Sequence, residues 1–207
     1  MLRSAAVRTG VAAAAAALVA LPVYSLARSR LATVPRPLVH AEGPPLGHTG
    51  GFSEPTCRFC HTDLDLNAPG GALGVDGFPA TYESGVTYRV AIVLMSEDME
   101  TAGFQAALRF DTGARRGQQA GTLSAVDDRV MVRTHEDTGV AYAFQTLTGS
   151  ELAQTGGSVT WEFDWTAPEG SAPIVLHAAA NAAGGDNSPF GDLIYVTEGR
   201  SEGSTGN

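Results

Sequence analysis

The chain has 207 residues, of which 43% are hydrophobic and 17% charged, a composition typical of one globular domain with flanking segments. It argues against two large domains, a disordered polymer and a fibrous repeat. The 13 basic residues against 22 acidic ones leave a net charge of -9. This balance disfavours a nucleic-acid partner, because such a partner needs a basic surface that neutralises phosphates.

The first 27 residues have the pattern of an export signal. Arg3 and Arg8 precede an uncharged run over residues 9–27, and small residues at its end suit cleavage after Ala27. An uncleaved membrane anchor is the alternative, since about 17–25 apolar residues span a bilayer. In both cases we expect the rest of the chain outside the cytoplasm, in the periplasm or at the cell surface, with membrane association through this segment in the second case.

Residues 28–54 are predicted to be a flexible linker. They contain four Pro and four Gly residues, a composition that resists regular structure. The folded domain is predicted to occupy residues 55–198, and a disordered polar tail is predicted at 199–207.

Alternation of apolar and polar side chains predicts β-strands through the folded domain. The clearest segment is residues 159–165, where Trp161, Phe163 and Trp165 share one face. Further strands are predicted at residues 86–94, 104–110, 129–134, 140–144, 173–180 and 192–197. About seven or eight short strands, separated by Gly and Asp turn signals and without a helical period, indicate an all-β fold. The expected architecture is an immunoglobulin-like antiparallel β-sandwich with the Trp-rich face in its core.

The two cysteines of the chain lie in the motif Cys57-Arg58-Phe59-Cys60-His61. This spacing is the pattern of covalent c-type haem attachment. Two thiols on one turn reach the two vinyl groups of a haem, and the adjacent His61 imidazole can then ligate the iron. Export supports this interpretation, because c-type haem is attached outside the cytoplasmic membrane. The sequence therefore predicts one covalent haem c held by Cys57 and Cys60, with His61 as an iron ligand.

Two other interpretations of the cysteines stay open. A Cys57–Cys60 disulfide or a redox-active thiol pair also suits an exported protein, although the βαβ pattern of a thioredoxin is missing. Structural zinc takes four protein ligands, whereas the motif offers three that crowd one turn.

A series of short segments along residues 48–197 is similar to a protein family. The segments are Thr49-Gly50-Gly51-Phe52 before the cysteine motif, Gly77-Phe78-Pro79-Ala80-Thr81-Tyr82, Gly103-Phe104-Gln105, Ala120-Gly121-Thr122-Leu123, Trp161-Glu162-Phe163-Asp164-Trp165-Thr166-Ala167-Pro168, Ala178-Ala179-Ala180-Asn181 and Gly191-Asp192-Leu193-Ile194-Tyr195. They resemble the bacterial Reeler-like, choice-of-anchor V domains. The resemblance implies a Reeler-type β-sandwich that carries an N-terminal CxxCH motif and a membrane or surface anchor. The resemblance indicates the fold more specifically than it indicates the function.

The second axial position of the iron decides between electron transfer and binding of a small molecule. His135, at a predicted strand end before a turn, is the first candidate and is predicted as a metal ligand together with His61. His48 is close in sequence to the motif but belongs to the predicted linker. Core or loop positions are the more typical role of the remaining candidates, which are Met95, Met99, Met131 and His177. An open site would instead suit a haem enzyme or a gas sensor.

The motif and the export pattern together predict an extracytoplasmic monohaem c-type cytochrome domain. It would pass single electrons to or from a partner protein or membrane complex, and the acidic residues Glu97, Asp98 and Glu100 could dock a partner with a basic face. The alternative is a surface adhesion or binding module in which Cys57 and Cys60 form a structural disulfide. An enzyme is the weaker class, since no catalytic triad, phosphate-binding loop or pair of catalytic carboxylates stands out.

Overall fold

The computed structural model describes residues 43–152 and 157–204 of the chain. The predicted export signal, most of the predicted linker and the last three residues lie outside the described residues. Within the described ranges, no helix is long and apolar enough to cross a membrane.

The described residues form ten strands in two sheets, together with one helical turn. The strands are β1 (Gly71–Asp76), β2 (Thr81–Tyr82), β3 (Thr87–Ser96), β4 (Thr101–Phe110), β5 (Thr122–Ala125), β6 (Val130–Thr134), β7 (Ala141–Gln145), β8 (Ser158–Thr166), β9 (Ile174–Ala183) and β10 (Leu193–Gly203). The helical turn α1 (Leu147–Ser150) follows β7, and 3-10 turns lie at Gly51–Ser53, Cys57–Phe59 and Gly113–Arg115.

The two sheets pack as a sandwich. One has the strand order β1-β3-β8-β5 and the other β2-β10-β9-β4-β7-β6. Neighbouring strands are antiparallel, apart from β2, which pairs in parallel with the end of β10. The predicted all-β, antiparallel sandwich is therefore confirmed. The seven predicted strands correspond to β3, β4 and β6 to β10, whereas β1, β2 and β5 are glycine-containing or too short to show alternation.

The core is centred on the aromatic face of β8. Trp161, Phe163 and Trp165 are fully buried, and burying each ring contributes about 2–3 kcal/mol. Phe104 of β4 stacks on Trp161 with the ring centroids 4.6 Å apart, so the two sheets meet at this pair. The indole N–H groups of both tryptophans donate to backbone carbonyls at 2.7 and 2.9 Å, which removes the cost of burying an unpaired donor.

The ordered domain begins earlier and ends later than the sequence predicts. Residues 43–54, assigned to a flexible linker, lie against the outer face of the six-stranded sheet, where Thr49 and Gly51 are buried. Their Gly residues form turns within a packed segment rather than a tether: a Cβ at Gly51 would lie 2.4 Å from the ring of His177. The predicted tail at 199–207 also differs, because β10 continues to Gly203 and stays paired with β9 and β2.

Candidate functional site

A cleft lies on the outer face of the six-stranded sheet. Its floor consists of Gly103, Gln105, Gln145 and Asn181 from β4, β7 and β9. Phe104, between two of them, directs its ring into the core instead. One wall is formed by Pro44, Pro45 and His48, and the cysteine motif contributes Cys57, Cys60 and His61. The enclosed volume is about 200 Å³, below the roughly 300 Å³ of small cofactor sites. A porphyrin is larger than this volume, so only part of one would lie inside the cleft.

A single 3-10 turn holds the two cysteines. Thr56 precedes the turn, and its hydroxyl accepts a hydrogen bond from the Arg58 backbone N–H at 3.2 Å, the usual way to begin a helical turn. The backbone N–H groups of Cys60 and His61 both donate to the Cys57 carbonyl, at 3.2 and 3.1 Å. Local hydrogen bonds thus bring three chemically active side chains of the motif to one cleft.

Both cysteines carry free thiols. Cys60 is exposed, whereas Cys57 is partly buried, and burial raises the pKa of the Cys57 thiol to about 12. At neutral pH Cys57 is therefore a protonated thiol. Redox-active cysteines of the thioredoxin kind show the opposite shift, because they need an accessible thiolate.

The His61 ring is held by a buried carboxylate. Its Nδ1 lies 2.6 Å from Asp192 Oδ2, and Asp192, at the start of β10, is only 2% exposed. A carboxylate can only accept, so Nδ1 carries the proton of the neutral ring and Nε2 keeps its lone pair. The Asn181 amide nitrogen is 3.3 Å from Nε2 and also 3.3 Å from Asp192 Oδ2. Histidines that ligate metals usually donate Nδ1–H to such a partner.

The structure does not bring His135, the first candidate for the second iron ligand, into this cleft. His135 lies in the turn after β6 and accepts a hydrogen bond from the Asp137 backbone N–H at 3.3 Å. It lines a different depression, which shares only Pro45 with the cleft. In the described part of the chain, no group of three or more His, Cys, Asp or Glu side chains is arranged to hold a bare metal ion.

His48 is the second histidine of the cleft. Its ring lies edge-on to Phe59, with the centroids 5.9 Å apart. The backbone of the wall is fixed by Gln105, whose side chain accepts from the His48 backbone N–H at 2.7 Å and donates to the Pro45 carbonyl at 3.0 Å. Only the closeness of His48 to the motif points to this arrangement in the sequence, because the contact with β4 spans 57 residues.

A buried cluster around Glu54 attaches the N-terminal segment to the sheet. The Glu54 carboxylate accepts hydrogen bonds from the Arg109 guanidinium, from the Tyr142 hydroxyl and, at 2.6 Å, from the Thr49 hydroxyl. Burial alone would raise the pKa of Glu54, but these hydrogen bonds outweigh burial and lower it. Arg109 also lies over the Phe52 ring at 5.3 Å. The cluster fixes the residues on both sides of His48 and those leading into the cysteine turn.

No protein-family model matches the sequence, and no curated protein sequence matches it either. Among solved structures, the reeler domain of human F-spondin is similar over 70% of this chain and 96% of that domain, with 17% identity and a TM-score of 0.45. A structure of the Reelin-N domain of F-spondin gives 17% identity, coverage of 71% and 96%, and a TM-score of 0.45. The cohesin module of a Clostridium perfringens family 33 glycoside hydrolase gives 13% identity, coverage of 65% and 97%, and a TM-score of 0.44. These similarities concern the fold alone.

Proposed function

We propose that this protein is an extracytoplasmic monohaem c-type cytochrome domain that passes single electrons to or from a partner protein or membrane complex. The observation that carries the proposal is the cleft itself. Two free thiols on one turn line it, next to a histidine whose Nδ1 is already paired with a buried carboxylate. The export pattern of residues 1–27 supports the proposal, because it sends the chain to the compartment of c-type haem attachment.

The donor set fits a covalently attached haem. Each thiol S–H would add across one vinyl C=C bond of the porphyrin: a C–S bond forms, the vinyl π bond breaks, and the hydrogen goes to the neighbouring carbon. This addition needs no oxidant and has no leaving group, but it does need reduced cysteines. Cys57 and Cys60 are not bonded to each other in the structure, and both line the cleft.

The residues around the motif have distinct roles towards that group. A bound haem would supply a one-electron iron couple. His61 would ligate the iron through Nε2, exchanging its 3.3 Å contact with Asn181 for the metal. Asp192 orients the ring and, as a nearby anion, would favour the ferric over the ferrous state of a bound haem. Pro44 and Pro45 form an apolar wall on one side of the cleft.

We expect the electron-transfer partner to be attracted by exposed negative charges on this protein. Glu97, Asp98 and Glu100 are exposed in the turn between β3 and β4, at the end of β4 that also carries Gly103 of the cleft. An acidic rim raises the rate at which a basic protein encounters the site. The rate of electron exchange with a basic redox protein should therefore fall as salt is added, because salt screens exposed charges.

A haem assay on the purified protein tests the proposed function. The full chain is expressed in a host with c-type haem ligation machinery, and the pyridine haemochrome spectrum is recorded. We expect one covalent haem per chain and two thiols that resist alkylation, before and after reduction. The control, Cys57→Ser with Cys60→Ser, should carry no covalent haem. A wild-type protein without a Soret band overturns the proposal, and cysteines that react only after reduction would then establish the disulfide of a binding module.

A further inference from the structure

We propose that His48 is the second axial ligand of the haem iron, so that the iron is six-coordinate with two histidines. This inference rests on the proposed function and goes beyond it by assigning a ligand to the other face of the haem. Of the described histidines, His48 and His61 line the cleft, whereas His135 and His177 do not. The two histidines therefore line the same cleft as Cys57 and Cys60.

The hydrogen bond made by the His48 ring leaves its Nε2 atom available to ligate iron. Nδ1 lies 3.0 Å from the Pro45 carbonyl oxygen, and a carbonyl only accepts, so Nδ1 carries the proton of the neutral ring. Nε2 then holds an unshared lone pair, and no described residue hydrogen-bonds to it. A backbone carbonyl on Nδ1 is one of the usual outer partners of a metal-bound histidine. His48 and His61 are thus both held as the tautomer that ligates through Nε2.

A buried glutamine fixes the position of His48 before any ligand binds. Gln105 is fully buried in β4, and its amide bonds both to the His48 backbone N–H and to the Pro45 carbonyl. The Pro45 oxygen therefore accepts from the Gln105 side chain and from the His48 ring. A buried amide whose two ends are satisfied holds one geometry rather than several. Gln105 is in this sense a positioning residue for His48.

The segment that carries His48 is anchored rather than loose. Thr49, next in sequence, is 1% exposed and bonds to Glu54, which in turn pairs with buried Arg109. Phe59, between the two cysteines, contacts the His48 ring. The wall that carries His48 is therefore fixed against the sheet.

The experiment compares His48→Ala with His135→Ala in the haem-loaded full chain. We expect the wild-type protein to be low-spin in both oxidation states and to bind carbon monoxide poorly. His48→Ala should become high-spin and bind carbon monoxide readily, and free imidazole should restore the low-spin spectrum. His135→Ala should keep the wild-type spectrum, because its ring lies outside the cleft.

A conservative variant covers the case in which His48→Ala loads no haem. His48→Met should stay low-spin, with the charge-transfer band of methionine-ligated ferric haem and a higher reduction potential. A His48→Ala or His48→Met protein with the wild-type spectrum overturns the inference, as does a wild-type protein that is high-spin. High-spin His135→Ala would assign the ligand to His135. Absence of haem from the wild-type chain is a different result, since it overturns the proposed function itself.

Discussion

Replacement of Glu54 by Gln removes the negative charge that faces Arg109 beneath the N-terminal segment. The Arg109 side chain is 6% exposed and that of Glu54 is 14% exposed, so both partners of this ion pair are largely out of water. Gln has nearly the shape of Glu. Its one carbonyl oxygen can still accept from the Tyr142 hydroxyl, while its NH2 group replaces the oxygen that accepts from Thr49 and can donate to the Thr49 hydroxyl oxygen instead. The variant therefore changes the charge of the cluster and leaves its packing in place.

The expected loss of stability follows from that burial. Removing one partner of a buried ion pair costs about 3–5 kcal/mol, because the remaining charge is left uncompensated. Each kcal/mol lowers the melting temperature of a domain of this size by about 2–4 °C, which gives a decrease of roughly 6–20 °C. Arg109 keeps its contacts with the Phe52 and Tyr142 rings, at 5.3 and 5.5 Å, and these favour the lower part of the range.

Urea unfolding followed by tryptophan fluorescence measures this loss. Trp161 and Trp165 are fully buried, so their emission reports unfolding of the sandwich. Asp164→Asn is the matched control, since it also turns a carboxylate into an amide. Asp164 lies 2.6 Å from Arg89, but the two side chains are 30% and 52% exposed, and such pairs contribute less than about 1 kcal/mol. Equal losses in Glu54→Gln and Asp164→Asn would refute the argument from burial.

Three further predictions concern pH, redox potential and backbone geometry. The pKa of Glu54 is lowered from 4.5, so the stability advantage of wild type over Glu54→Gln should be complete above pH 4.5. It should disappear as the pH falls through the lower folded-state pKa, and a difference that grows in acid contradicts this. In the haem-loaded protein, Asp192→Asn should raise the reduction potential, by about 60 mV for each tenfold change in the equilibrium constant of reduction. A redox titration measures this potential. An unchanged or lower value contradicts the role of Asp192. Gly121→Ala should destabilise more than Gly113→Ala in thermal denaturation: both positions have positive φ, of 76° and 75°, but only at Gly121 would the new Cβ meet a backbone oxygen, at 2.2 Å. Equal melting temperatures would contradict the steric argument.

The strands of the sandwich could be predicted where one face is buried. In β8, Trp161, Phe163 and Trp165 alternate with polar residues, and this local pattern indicates which side of the strand faces the core. β2 has only two residues, and its parallel partner is the last part of β10. A pairing between strands so far apart in sequence, such as Thr81 with Glu202, leaves no local pattern, so the sequence could not indicate it.

The cysteine motif could be predicted from the sequence, whereas its surroundings could not. Cys57, Cys60 and His61 are neighbours along the chain, so spacing alone identifies them. Asp192, just before β10, contacts His61, and Gln105 of β4 contacts the His48 backbone; neither residue belongs to a motif. The Pro- and Gly-rich composition of residues 43–54 predicts a flexible linker, whereas the structure shows a packed segment. The composition could not indicate this, because the contacts that stabilise the segment, such as Glu54 with Arg109, are long-range.

The floor of the cleft comes from strands that the ribosome makes long after the cysteine turn. His61 and Asn181 touch across a separation of 120 residues, so the pocket is absent from an unfolded chain even though both thiols are present. Attachment of a porphyrin to the exported chain before it folds would therefore precede burial of its iron. Axial ligation by residues that meet only in the native fold would then act as a cross-link favouring that fold, and the loaded protein would resist unfolding better than its empty form.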